Sequence, residues 1–287
     1  MTTVMDRPPQ DGAAAALTTD PGFGRIRQAP AGRLPAWNDA LHRELLEHSW
    51  LIYRGVELRN SEELLNYGSA AGEPLTYAFG QIFELKAAGT KDGKTQLSDR
   101  AMSIHQDSVL PEEFADLVMM YVWSAPATGG ESLLCDNRKF LTLLEQRDPE
   151  LYAFFIHARV LYKNHTGNYY AGTDMVDWIN KPTMRKHPLL GTMTPFFAFN
   201  PLGDPDCNFT ARFEGLSIED SDDKMRRLDA LMRSPEVMVQ HVLHPGDVII
   251  FDNLLVSHGR NAFNTVGQPR HLSRVQIGLR EPLALAS

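Results

Sequence analysis

The 287-residue sequence predicts a mainly β protein with flanking helices, built on a double-sheet jelly roll or barrel. Two observations carry this. From Gly80 onward, short stretches rich in β-branched and aromatic residues alternate with turn residues, without an internal repeat. A hydrophobic share of 43% against 22% charged residues supplies enough apolar material for the core of one large domain.

The elements follow in chain order. Residues 1–22 mix Pro, Gly, Ala, Thr and Asp without periodicity and read as a flexible lead-in, leaving 23–287 as a single domain. Between Ala36 and Trp50, the residues Leu41, Leu45 and Leu46 recur at helical spacing, and LIYRG then reads as a buried strand. A second helix is expected at 61–70, capped by Ser61. QIFELK, TQLSDRAMSIHQD and DLVMMYVWSA suggest antiparallel strands. Asp136 is placed to cap a helix over 137–147 that stops ahead of Pro149, and FFIHARVLY reads as a strand. Residues 163–187, rich in Asn, Gly, Tyr, Thr and Pro, form a long irregular insert and a candidate lid. Further strands are expected at 194–199 and 209–213, and a helix near 219–233 ended by Pro235. The last stretch alternates VMVQHVL, a His244-Pro-Gly-Asp247 turn, VIIFDN and HLSRVQIGL.

The formal net charge of -8, with 28 Lys and Arg dispersed along the chain, argues against a nucleic-acid or anionic-membrane partner. A small anionic substrate is still compatible, because a cationic pocket can sit inside an acidic protein. Cys135 and Cys207 are too few for a disulfide framework or a Cys-rich zinc site, which fits a reducing cytoplasm. No segment approaches the ~18 apolar residues of a membrane span. The expectation is a cytoplasmic protein acting on a small molecule, with no signal of oligomeric state.

Ten histidines give many ways to assemble a metal site, so spacing has to select. His42, His48, His157 and His241 have no distinguishing context. His105 and Asp107 stand two apart; on an extended strand both would face one side and could take adjacent positions on one ion, with a third ligand from elsewhere completing a facial triad. The second element is GDVIIFDNLLVSHGRNAF, which carries His258 and is followed by Arg270 and Arg274 in RHLSR. A guanidinium near such a metal suits capture of a carboxylate.

This ordered set resembles the TauD/TfdA family of iron(II) and 2-oxoglutarate dependent oxygenases over roughly residues 45–280. His105-x-Asp107, TGGESLLCDN, GDVIIFDNLLVSHGR and RHLSR match its motifs in sequence order. The resemblance implies a double-stranded β-helix, cupin-like core, with His105, Asp107 and His258 as iron ligands and dioxygen and 2-oxoglutarate as co-substrates. It makes Arg274 the partner of the distal carboxylate of 2-oxoglutarate, with Ser132 where the family often has a threonine, and Arg270 an assistant at the metal-binding end. Because Asp107 keeps the carboxylate, hydroxylation or desaturation is expected and not halogenation.

PLTYAFGQIFEL, ARFEG and the distal block look closest to the PvcB-like branch, whose members act on isonitriles derived from aromatic amino acids. This implies a secondary-metabolic enzyme, with Tyr77, Phe79, Tyr169, Tyr170, Asn200 and Arg212 as candidate substrate contacts. Three other readings compete. One is a hydroxylase of a free or carrier-bound amino acid, the second a non-catalytic metal-binding jelly roll, and the third a zinc hydrolase, which leaves the arginine motif without a purpose.

Overall fold

The computed structural model describes residues 22–87, 97–164, 178–200, 207, 209–264 and 269–279. Two sheets face each other. The larger contains β1 (Arg25–Gln28), β2 (Trp50–Arg54), β3 (Glu73–Pro74), β4 (Ile82–Lys86), β6 (Leu117–Ser124), β14 (Val248–Asp252) and β16 (His271–Gly278). Its order is β1-β2-β14-β6-β16-β3, with β4 also paired to β16. The smaller sheet, ordered β13-β7-β15-β5, is made of β5 (Met102–His105), β7 (Ser132–Asp136), β13 (Met238–His241) and β15 (Val256–Arg260).

Period-two alternation explains why the sheets stack. On β16, Leu272 faces the space between them, while Val275 and Ile277 face outward. The inner layer joins Val118, Met120, Ile249, Phe251 and Leu272 of the large sheet to Leu134, Val239 and Val256 of the small one. Outside the large sheet lie α1 (Asp39–His48) and α2 (Ser61–Ala71), whose Leu41, Leu45 and Leu64 are buried against it. Outside the small sheet pack α3 (Asn137–Arg147), α4 (Pro149–Phe155) and α5 (Ile218–Met232), with a three-stranded sheet ordered β12-β8-β9. That sheet consists of β8 (Arg159–Asn164), β9 (Ile179–Pro182) and β12 (Phe209–Phe213). A hairpin of β10 (Met184–Lys186) and β11 (Met193–Pro195) completes the layer. Among the described residues no helix is long and apolar enough to cross a membrane.

Several local expectations need correction. Asn60, not Ser61, caps α2, its side chain accepting from the Glu63 N–H, while the Ser61 hydroxyl donates to Glu84 at 2.6 Å. Pro149 does not merely follow a helix; it opens α4 behind the Asp148 cap, so Phe154 and Phe155 are helical and the strand begins at Arg159. In the stretch expected at 194–199, only 193–195 forms a strand. Asp136 caps α3 as expected, accepting from the N–H groups of Arg138 and Lys139. Most of the candidate lid, 165–177, with Tyr169 and Tyr170, lies outside the described residues. So does nearly all of the N-terminal lead-in. The remainder of the insert is regular, since it contains β9 and β10.

Candidate metal and co-substrate site

β15 lies between β7 and β5, so His258 stands directly opposite His105 on one side and Leu134 on the other. The two imidazole centroids are 4.5 Å apart. His105 Nδ1 lies 2.8 Å from the Ser103 carbonyl, which can only accept; Nδ1 therefore carries the proton and Nε2 keeps its lone pair.

Asp107 reaches the same place by a different route from the one its spacing suggests. β5 ends at His105, and Asp107 sits in the following turn, next to Ser108 in the left-handed region at φ 58°. The buried Asn253 fixes this turn. Its Oδ1 accepts from Asp107 N at 3.1 Å, and its Nδ2 donates to the carbonyls of Asp107 at 2.9 Å and Ala115 at 2.8 Å. Gln106 adds a second brace, donating to the Asn253 carbonyl at 2.7 Å and accepting from Phe197 N at 3.0 Å. Asp107 Oδ1 thereby lies 3.7 Å from His105 Nε2 and 3.9 Å from His258 Nε2.

The donor set fits a divalent metal. One ligand atom from each of His105, Asp107 and His258 lies within 4.8 Å of the other two. Burial, and then His105, push His258 down to about 3, with Asp107 opposing, so the imidazole is neutral at ordinary pH and free to donate its lone pair. Burial alone would raise Asp107, but the Arg274 cation against it outweighs burial and holds the carboxyl well below the usual range. Two imidazoles and one carboxylate suit iron(II) and leave the opposite positions to other ligands.

A cleft of about 490 Å³, counted out to its mouth, runs from His258 between the two sheets. Leu85, Met102, Met120, Leu134, Ile249 and Phe251 give it apolar walls. Ser132, Arg270 and Arg274 also line it. Arg274 Nη1 donates to both Asp107 oxygens, at 3.0 and 2.9 Å. Arg270 is four residues back, about 13 Å along an extended chain. It is buried, with no carboxylate partner among the described residues, and burial followed by the nearby Arg260 pulls it down to about 9.

Ser132 is delivered by the Gly129-Gly130 turn, in which both glycines have φ +75°. A Cβ on Gly129 would sit 2.3 Å from the Ala262 carbonyl oxygen, so the turn can pack against that backbone only as glycine.

The candidate substrate residues separate. Tyr77 is buried with its hydroxyl 2.8 Å from Ser108 Oγ, beside Asp107. Phe79 packs between Tyr77 and Phe83, with centroids at 5.3 and 4.5 Å, and Phe83 lies 5.2 Å from the Arg274 guanidinium. Asn200 is half-buried at the end of a segment that Ala198 bridges to His105. Arg212 is not brought to this group. It alternates with the core residue Phe213 on β12 and sits over Trp178 at 4.6 Å. Asn253, Gln106, Ser108 and Arg260 escaped the sequence reading, and only the Asp-Asn pair preceding His258 hinted at the first.

The profile of the family described as "Taurine catabolism dioxygenase TauD, TfdA family" matches residues 17–276. A 3-((Z)-2-isocyanoethenyl)-1H-indole synthase of Fischerella ambigua is 28% identical over 236 residues, 80% of this chain and 82% of that protein. A tyrosine isonitrile desaturase of Pseudomonas aeruginosa is 26% identical, covering 88% of this chain and 85% of its own. Among solved structures, the PvcB protein of Pseudomonas aeruginosa superposes with a TM-score of 0.69 at 23% identity, over 91% of this chain and 90% of that one. Together with the extent of the family match, the jelly roll and its His-Asp-His cluster lead to one conclusion: the chain belongs to the TauD/TfdA dioxygenase family.

Proposed function

We propose that the protein is an iron(II) and 2-oxoglutarate dependent dioxygenase that desaturates or hydroxylates a small amino-acid-derived metabolite, with an isonitrile of an aromatic amino acid as the substrate class. The carrying observation is one cleft that starts at His258 of the His105-Asp107-His258 cluster and is also lined by the buried Arg270, which has no carboxylate partner among the described residues.

His105, Asp107 and His258 hold the iron. When bound, it supplies the oxidising chemistry that couples decarboxylation of 2-oxoglutarate by dioxygen to oxidation of the substrate. Arg274 keeps Asp107 ionised and oriented and stands at the metal end of the co-substrate. Arg270, with the Ser132 hydroxyl, takes the distal carboxylate; the contact of Arg274 with Asp107, and the lack of a carboxylate on Arg270 among the described residues, support this exchange of the roles expected from the motif. The apolar walls exclude water from the reacting end. The substrate assignment rests on the isonitrile-pathway relatives and on the Tyr77-Phe79-Phe83 aromatic group beside Arg274 and Ser108.

The test is anaerobic titration of the metal-free protein with iron(II) and then 2-oxoglutarate, followed by the visible charge-transfer band of the chelate. The band should appear in the wild type and need far more 2-oxoglutarate in Arg270→Gln. Folded, iron-loaded protein that gives no band overturns the proposal. Turnover of tyrosine- and tryptophan-derived isonitriles against the free amino acids then decides the substrate class.

A further inference from the structure

The turn between β14 and β15 serves two of the three proposed metal ligands. Its Asn253 amide holds the backbone of Asp107, and its C-terminal end runs into β15 and His258. We propose that His187, which follows β10 in the outer hairpin and is not a member of the His-Asp-His cluster, is a positioning residue for that cluster, acting through Asp252 on this turn. The inference rests on the metal-binding reading of the cluster.

His187 and Asp252 are 1% and 2% exposed, and His187 Nε2 lies 2.9 Å from Asp252 Oδ2 across 65 residues of chain. The other ring nitrogen fixes the tautomer. Nδ1 lies 3.2 Å from the backbone nitrogens of both Leu189 and Leu190, which can only donate, so Nδ1 accepts and Nε2 carries the proton that goes to Asp252. One imidazole therefore closes its own turn and reaches across to the last residue of β14. The second oxygen of Asp252 accepts from Leu254 N at 2.9 Å and Leu255 N at 3.0 Å. Three donors from two directions leave this carboxylate one orientation, and the turn that presents Asn253 is wrapped around it.

A buried carboxylate gives up its hydration, and apolar side chains of like volume would fill the same space without that cost. What they cannot do is aim a turn. The turn also has a second brace, since the Asn137 side chain donates to the Leu254 carbonyl at 2.8 Å and the Asn137 N–H to the Leu255 carbonyl at 2.9 Å. Loss of the His187 contact should therefore shift the turn without unfolding it, and the shift is passed to Asp107 and His258.

His187→Asn and His187→Gln separate the two halves of the contact. The asparagine oxygen can stand in for Nδ1 and keep the local turn, but the side chain is too short to reach Asp252; the glutamine nitrogen can stand in for Nε2 and donate to Asp252. Metal-free protein is titrated with zinc(II) against a chromogenic chelator, the visible spectrum of the cobalt(II) form reports ligand geometry, and urea unfolding reports stability. His187→Asn should weaken zinc(II) by about tenfold or more and alter the cobalt(II) spectrum, while His187→Gln should return to within about threefold of the wild type, the tenfold being the lower end of the scale for outer partners of a metal site. Both variants should lose stability, so metal affinity and stability part. Zinc(II) affinity in His187→Asn equal to the wild type, or glutamine no better than asparagine in folded protein, overturns the proposal and leaves the pair a structural pin. If His187→Asn does not fold, Asp252→Asn, which keeps an acceptor for Leu254 and Leu255 and loses the one for His187, should show the same weakening, and wild-type affinity there overturns the proposal equally. His105→Ala is the control: if it binds zinc(II) as the wild type does, the metal-binding reading of the cluster has itself failed.

Discussion

Replacing Asn253 tests whether the turn carrying Asp107 is built for metal binding. The residue is fully buried, and its amide makes three hydrogen bonds, two of them to the backbone of Asp107 and one to Ala115. Asn253→Asp is nearly isosteric, so no cavity term enters. The aspartate can still accept from Asp107 N, but it turns two donors into acceptors facing two carbonyls. Losing two net hydrogen bonds at about 1 kcal/mol each, with the added desolvation of groups left unpaired, sets the expected loss at about 3–5 kcal/mol. Urea unfolding followed by circular dichroism measures it. Because Asn253 orients a proposed ligand, metal affinity in the folded variant should also fall by about 10–100-fold, the usual scale for outer partners of a metal site. A variant that loses stability but binds zinc(II) within twofold of the wild type refutes the orienting role. A stability change under about 1 kcal/mol refutes the hydrogen-bond argument itself.

Two further outcomes follow from other parts of the molecule. Gly129→Ala places a Cβ 2.3 Å from the Ala262 carbonyl oxygen at a left-handed position; thermal unfolding should show a loss of about 2 kcal/mol or more, and displacement of Ser132 should weaken 2-oxoglutarate binding. His241, packed edge-on to Trp50, is pushed down from 6.5 to about 4 by burial and then Arg54. Its folded pKa is lowered, so the unfolded chain binds more protons between those values, and stability should fall as pH drops from about 6.5 to about 4. Urea midpoints of metal-free protein across this range should flatten in His241→Phe, and an unchanged pH slope would remove His241 as a cause.

The fold was legible where alternation is strong. The runs that became β6, β14 and β16 carry their apolar residues in a pattern that admits little else, and His258 follows from the strand that β14 leads into. Neighbouring residues of similar chemistry were not separable: Asn60 and Ser61 both cap well, and only the approach of Glu84 to the Ser61 hydroxyl decides between them. The His105-x-Asp107 spacing named a pair that the fold does bring together, though not for the reason the spacing suggests. Strand alternation ends at His105, and a left-handed Ser108 with the Asn253 brace turns Asp107 back toward the imidazoles. Such a brace spans 146 residues of chain and leaves no periodic signal. The contact between Arg274 and Asp107 was likewise invisible, because a linear motif orders residues along a strand without saying what each side chain meets. Arg212 illustrates the opposite limit. The alternation of β12 puts Phe213 in the core and Arg212 on the other face, over Trp178, a placement that residue type alone does not give.

The contact between Arg274 and Asp107 also sets an order of loading. With the two side chains cancelling each other, an approaching divalent cation meets almost no net attraction, so its capture depends on the arrangement of donors and not on a negative well. Once seated, the cation leaves a strong excess of positive charge, deepened by Arg270 further along the cleft. A doubly negative co-substrate is then drawn in far more strongly than before, and its departure as another dianion is resisted by the same field. The cleft is thus expected to fill from the metal outward, with ionic strength acting mainly on the second ligand and hardly on the first.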